Sequence, residues 1–231
     1  MSPLRGPARR PFDTAPPEDG FDWRGEATAT WQFDGQHSAQ ATWTYDANNL
    51  YVCFRNVLDS TPMINGGKDP QILFKTGDAA VLELRTDPTS AAPGIVAGDL
   101  RLLFSVFNDQ PIAVLYRYNA PGAAAPTPFT SPVTTTNIDV VKILDSAKIA
   151  VDRQGDRYTL RATVPLQDLG FTPTVGQTYR GDFGIVYSDR AGRINELRMY
   201  WCNPVTGMVN DLAIEAKIEP QFWGKFELAT K

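Results

Sequence analysis

The side chains best able to do chemistry gather in residues 180–203, where Asp182, Asp189, Arg190, Arg193, Arg198, Trp201 and Asn203 lie in two apolar runs and the turn between them. Arginine, amide and carboxylate groups grip sugar hydroxyls, and a flat indole face stacks on the C–H face of a pyranose. This mixture therefore points to saccharide recognition. Trp201 is the aromatic candidate because Arg198 and Asn203 flank it, and Arg193 and Asn203 are hydrogen-bonding candidates. The familiar nucleophile systems lack their parts. The chain has one histidine, His37, in a turn-like run, and no G-x-S-x-G, P-loop or G-x-G-x-x-G motif after a strand. Paired carboxylates are the one remaining route to glycoside hydrolysis, and it turns on their separation in space. The expectation is a domain without enzymatic activity.

Acidic turns offer hard oxygen ligands of the kind calcium takes together with backbone carbonyls. Asp46 stands with Asn48 and Asn49, Asp59 with Ser60 and Thr61, and Asp182 and Asp189 flank the turn described above. Asp and Asn also favour turns for purely local hydrogen-bonding reasons. Two cysteines, Cys53 and Cys202, and one histidine cannot complete a Cys/His zinc site. The cysteines sit in strand-like runs, which suits small buried thiols or a disulfide between them. Of the five tryptophans, Trp43 and Trp223 read as core fillers.

These side chains need strands to hold them. Phe183, Ile185 and Tyr187 alternate with Gly184, Val186 and Ser188, and Leu197, Met199 and Trp201 alternate with Arg198, Tyr200 and Cys202. Period two predicts a hairpin whose turn holds Gly192, a residue free to adopt positive φ. A second hairpin is expected from Ala39, Ala41, Trp43 and Tyr45 through the turn at 46–49 into LYVCFRNVL. Further strands are predicted over 80–85, 100–107, 112–118, 138–144, 148–152 and 158–164, with turns at 108–111 and 153–156 between them. Residues 165–170 predict one short helix, with Pro165 at its start and Gly170 just past its end. Residues 121–128 read as a surface loop, and 209–220 as a helical turn or an irregular strand. Many short strands without alternating long helices predict an all-β protein, an antiparallel two-sheet β-sandwich of immunoglobulin-like or jelly-roll-like kind. Residues 1–20, with five prolines and no periodicity, read as a linker or arm, and 21–231 as one domain.

Charge and length narrow the partners. With 22 basic and 26 acidic side chains mixed along 231 residues there is no basic stripe, so nucleic acid is not an expected partner. No run approaches the roughly 20 apolar residues of a membrane span, and the N-terminus has no apolar stretch of a signal peptide.

Several segments, taken in order, carry a resemblance. They are Asn49-Leu50-Tyr51-Val52, Val57-Leu58-Asp59, Gly77-Asp78 leading into Val81-Leu82-Glu83-Leu84, Val164-Pro165-Leu166, and the closing Phe222-Trp223-Gly224-Lys225-Phe226-Glu227-Leu228. From residue 31 to 228 the chain resembles family 9 carbohydrate-binding modules, within the wider group of dopamine-monooxygenase-N-terminal-like sandwiches. The resemblance implies two antiparallel sheets, structural calcium, and a sugar end held between two tryptophans with acidic, amide and arginine partners. It adds Arg101 and Glu83 to the saccharide candidates and Asp78 to the calcium candidates. The match departs from the family pattern where members carry a tryptophan before an Asp-x-x-Glu segment. Here Leu73, Phe74 and Lys75 stand instead, and Val81 falls three residues after Asp78. Glu83 serves only with a two-residue shift, which keeps a strand side chain on the same face.

The leading expectation is a calcium-stabilised, saccharide-binding module of bacterial type, part of a larger extracellular or periplasmic protein. Two alternatives remain open. One is an interaction domain that docks its parent protein and binds no small molecule. The other is a haem-b domain on the same sandwich, with Met63 and either Lys68 or His37 as axial ligands.

Overall fold

The computed structural model describes residues 4–6, 28–61, 63–132, 134–204 and 213–228. Trp23, most of residues 1–20 and residues 205–212 lie outside them.

Alternation of apolar and polar side chains builds most of the strands. In β12 (Arg157–Pro165), Tyr158, Leu160, Ala162 and Val164 are buried, while the residues between them lie nearer the surface. This strand joins β2 (Ala29–Gln32), β3 (Ser38–Tyr45), β4 (Asn49–Leu58) and β11 (Lys148–Gln154) in a five-stranded antiparallel sheet ordered β11-β12-β4-β3-β2. The larger sheet is ordered β1 (Leu4–Gly6), β15 (Gly224–Leu228), β13 (Thr178–Ser188), β5 (Ala79–Arg85), β6 (Asp99–Phe107), β7 (Gln110–Arg117), β10 (Val140–Ile143). β13 is long enough to pair on one edge with β15 through residues 178–181 and with β14 (Asn195–Tyr200) through residues 184–188, and on the other edge with β5. The all-β sandwich with one short helix is therefore the observed fold. The ladder of β1 on β15, Leu4 opposite Phe226, runs parallel.

The main core lies between the sheets. Trp43 packs edge-on against Phe171 and Phe226, and Phe183 packs edge-on against Phe54 and Phe226. The helix α1 (Leu166–Leu169) closes one corner. Gly170 ends it at φ 51°, and its N–H reaches back to the carbonyls of Leu166 and Gln167. Pro165, expected as the first helical residue, keeps an extended backbone just before the helix and makes no side-chain capping bond.

The outer face of the large sheet is also buried. A second apolar cluster joins Ala79, Val81, Leu103, Val114, Tyr116 and Val186 of the sheet to Leu73, Phe74, Ile138, Ala216, Ile218 and Trp223. The cover comes from the two-stranded sheet of β8 (Thr127–Thr130) and β9 (Thr135–Ile138), from the segment around Phe74, and from 3-10 turns at Ala213–Ala216 and Pro220–Phe222. The stretch expected to be surface loop at 121–128 thus runs into a strand. Both cysteines are free thiols, Cys53 on the small sheet and Cys202 beyond β14.

Candidate functional site

Register across the large sheet sets four polar side chains in a row. Asp182 of β13 stands opposite Glu83 of β5, Glu83 opposite Arg101 of β6, and Arg101 opposite Tyr116 of β7. Their immediate strand neighbours, Leu82, Leu84, Leu100, Leu102 and Phe183, point into the inter-sheet core. Period two therefore forces the polar row onto the outer face, under the covering layer.

Arg101 is fully buried and densely paired. Its Nη1 donates to the Glu215 carbonyl at 2.9 Å and its Nη2 to the Tyr200 hydroxyl at 2.8 Å. Nε stands 3.6 Å from Glu83 Oε1, and the guanidinium carbon lies 5.8 Å from the centre of the Phe74 ring. Burial works against its charge, but Tyr200, Tyr118 and Glu83 outweigh that and raise its pKa. Glu83 Oε2 accepts the indole N–H of Trp223 at 2.7 Å. Burial raises its pKa, while Arg101 and Trp223 oppose the rise. The Trp223 ring in turn lies 6.0 Å from the Arg85 guanidinium, which Asp99 holds through two bonds of 2.7 and 2.9 Å.

Asp182 accepts the N–H groups of Phe183, Cys202 and Asn203 at 2.9–3.0 Å, and Asn203 passes its amide N–H on to Glu219 at 2.8 Å. Burial, and then the neighbouring Glu83, push the Asp182 carboxyl well above the ordinary range. Two glycines make the packing possible. A methyl group on Gly184 would meet the Tyr200 ring at 2.8 Å, so its absence lets that ring lie across β13 toward Arg101. On Gly181 it would stand 2.3 Å from the Glu83 carbonyl oxygen.

The resulting arrangement is a buried ion pair surrounded by hydroxyl, indole and amide groups. Its donors and acceptors are of the kind that form hydrogen bonds with polar groups.

The structure separates the remaining candidates. Trp201 follows Tyr200 on the opposite face, stacks on Phe226 with ring centres 5.9 Å apart, and donates its backbone N–H to the Phe183 carbonyl. It shares no surface with Arg101. Arg193 is exposed in the turn after β13, where its backbone N–H caps Asp189. Asn203 is buried beside Asp182. Tyr200, Tyr118 and Trp223 were not singled out from the sequence for this cluster. The alternation of β14 already placed Arg198 and Tyr200 opposite Leu197 and Met199, and that was the usable signal.

Of the calcium candidates, Asp46 accepts the N–H groups of Asn48 and Asn49 and the Tyr51 hydroxyl. Asp189 accepts those of Ile194 and Arg193, which lower its pKa. Both build turns. Asp78 is buried and accepts from Ser188 N and Oγ and from Ile64 N, each at 2.7 Å. Asp59 is also buried. Its Oδ1 accepts the Thr61 N–H, and its Oδ2 has no donor. Burial, and then Asp59, push Asp78 up to about 8. Among the described residues no three His, Cys, Asp or Glu side chains group as a cage. Met63 packs in the inter-sheet core, and His37 is held by Asp34 and stands edge-on to Tyr187.

A concavity of about 600 Å³ opens at the turn between β3 and β4, lined by Tyr45, Asp46, Leu166, Phe171, Pro173 and Val175 among others. No member of the polar row lines it, and the Asp46 carboxylate there is already engaged.

Comparison with solved structures decides the architecture. A family 9 carbohydrate-binding module from Caldicellulosiruptor kristjanssonii in complex with cellotriose aligns over 98% of this chain and 94% of its own, at TM-score 0.57 and 14% identity. The fold is that of the family 9 modules. The glucose complex of a family 9 module from the same organism aligns over 98% and 96%, at TM-score 0.53 and 13% identity. A Bacteroides uniformis protein to which carbohydrate binding has been ascribed aligns over 97% and 99%, at 0.52 and 10%. No family model and no curated protein matches the chain by sequence. The family 9 fold thus persists here at identities of 10–14%, as the resemblance read from the sequence implied for the architecture.

Proposed function

We propose that this domain is a non-catalytic carbohydrate-binding module whose recognition groups are Glu83, Arg101, Tyr200 and Trp223 on the outer face of the large sheet. The observation that carries the reading is the row itself. A carboxylate and a guanidinium, paired 3.6 Å apart and flanked by a hydroxyl and an indole, match the alternating donors and acceptors of vicinal sugar hydroxyls. The family 9 fold supports it. At present the Glu215 and Ala216 carbonyls take the donors of Arg101 and Tyr118. A sugar at the row would have to replace these two carbonyls as the acceptors.

Titration calorimetry of the domain against mono- and oligosaccharides checks this. Saturable binding that weakens about tenfold in Glu83→Gln is expected, the loss of one charge-assisted hydrogen bond. Absence of binding by any saccharide sinks the reading. It would favour the interaction-domain alternative, which the closure of Arg101 beneath Glu215 also suits.

Calcium belongs to the same proposal at one place. Asp59 Oδ2 is a buried carboxylate oxygen with no donor, and it interacts with the buried Asp78. These two residues would hold the ion, which supplies the countercharge that two buried carboxylates need. Added calcium is expected to raise the thermal midpoint by on the order of 5 °C, chelator to reverse the rise, and Asp59→Asn to abolish it. A shift of the same size in the variant would exclude Asp59 as a ligand.

A further inference from the structure

Arg198 shares the outer face with Arg85, Arg101 and Arg180 and lacks the hydrogen-bond acceptors that those three have. It is 8% exposed, its Nε is enclosed without an acceptor, and among the described residues its guanidinium makes no hydrogen bond or ion pair. An enclosed N–H without an acceptor is costly, and a ligand oxygen that accepts from Nε would offset that cost. Arg198 stands two residues from Tyr200 on the same face of β14, which sets it beside the recognition groups.

A second orphan lies on the same strand. Asn195 is 4% exposed and donates its Nδ2 to the Phe74 carbonyl at 2.7 Å, which fixes the orientation of the amide. Its Oδ1 is enclosed and accepts nothing. Residues three apart in a regular strand face opposite ways, but Tyr187 pairs with Leu197 and Ser188 with Asn195. The bulge at Glu196 thereby turns Asn195 to the face that carries Arg198 and Tyr200. Among the described residues β14 pairs only with β13, so no further strand closes its other edge.

We infer that Asn195 and Arg198 form a subsite for the carboxylate of an acidic sugar, a hexuronate. This rests on the saccharide reading above and narrows its substrate class. The guanidinium fork takes a carboxylate in two bonds, and Asn195 Oδ1 takes a hydroxyl proton from the same ring. Glu83 and Asp182 nearby favour a singly charged ligand over a phosphate dianion, because every added negative charge meets their repulsion.

The test compares glucuronate with glucuronamide and glucose on the unaltered full chain by calorimetry or saturation-transfer NMR. Galacturonate and glucose 6-phosphate form further arms. Glucuronate or galacturonate is expected to bind about tenfold tighter than the neutral compounds and than glucose 6-phosphate, with the preference shrinking in 1 M NaCl. Arg198→Gln is expected to erase the preference and leave glucose affinity within about twofold. Equal affinity for glucuronate and glucuronamide, with glucose bound, overturns the subsite and leaves the saccharide reading standing. Tightest binding of glucose 6-phosphate overturns the carboxylate assignment, and no binding by any compound overturns both. The comparison on the unaltered chain decides even where the variant does not fold.

Discussion

Arg101→Met is expected to destabilise the domain by about 3–5 kcal/mol, the usual cost of removing one partner from a buried ion pair. Methionine approximates the length of the stem and fills its space, so the loss reports on charge and hydrogen bonds rather than on a cavity. Glu83 would keep the Trp223 N–H and lose its cation, and the Glu215 carbonyl would lose its donor. The 3-10 turn at Ala213–Ala216 is tied to the sheet by that bond and by the Tyr118 hydroxyl. The variant should therefore loosen this turn before it unfolds. Urea unfolding gives the free energy, and hydrogen exchange in residues 213–218 gives the order of events. A loss under 1 kcal/mol would mean that the row is solvated in solution. Since whole domains are stable by only about 5–15 kcal/mol, the expected loss removes a large share of the margin.

Gly181→Ala is expected to cost about 3 kcal/mol, at the upper end for overpacking. The added methyl would stand 2.3 Å from the Glu83 carbonyl oxygen and 2.7 Å from Phe226 Cε2. A backbone carbonyl in the middle of a ladder cannot turn aside as the end of a flexible side chain can. β13 must therefore part from β5 at the row itself, between the pairs Gly181–Leu84 and Asp182–Glu83. Stability and the alignment of Glu83 with Arg101 should fall together. Gly35→Ala, where a methyl would meet nothing within 4 Å, serves as the control and should be near neutral. Thermal unfolding of the two variants separates the effects, and equal midpoints would refute the steric argument.

The residues of the site are unevenly legible in the sequence. The family resemblance points to Glu83 and Arg101, and the fold brings them together across β5 and β6. Trp201 was nominated from its sequence neighbours, and it packs on Phe226 on the other side of the sheet. The alternation in β14 made the difference readable, because Leu197 and Met199 mark the core face and Tyr200 must then point away from it. Trp223 read as core filler, and its ring does lie in an apolar cluster, yet its N–H supplies Glu83 across 140 positions of sequence. A contact of that range leaves no local trace.

Local chemistry by itself determined most of the strands of the two main sheets, their turns, a short helix before Gly170 and the sandwich class, but not β1 or β8. Period-two burial, turn residues and a glycine at positive φ act within a few residues and are written in the chain. Only the tertiary structure decided that the outer face of the large sheet is roofed by residues from four distant segments, and that Asp182, Glu83 and Arg101 meet beneath that roof. Strand register and long-range cover depend on which strands pair. That pairing is chosen by burial of the whole core rather than by any one segment.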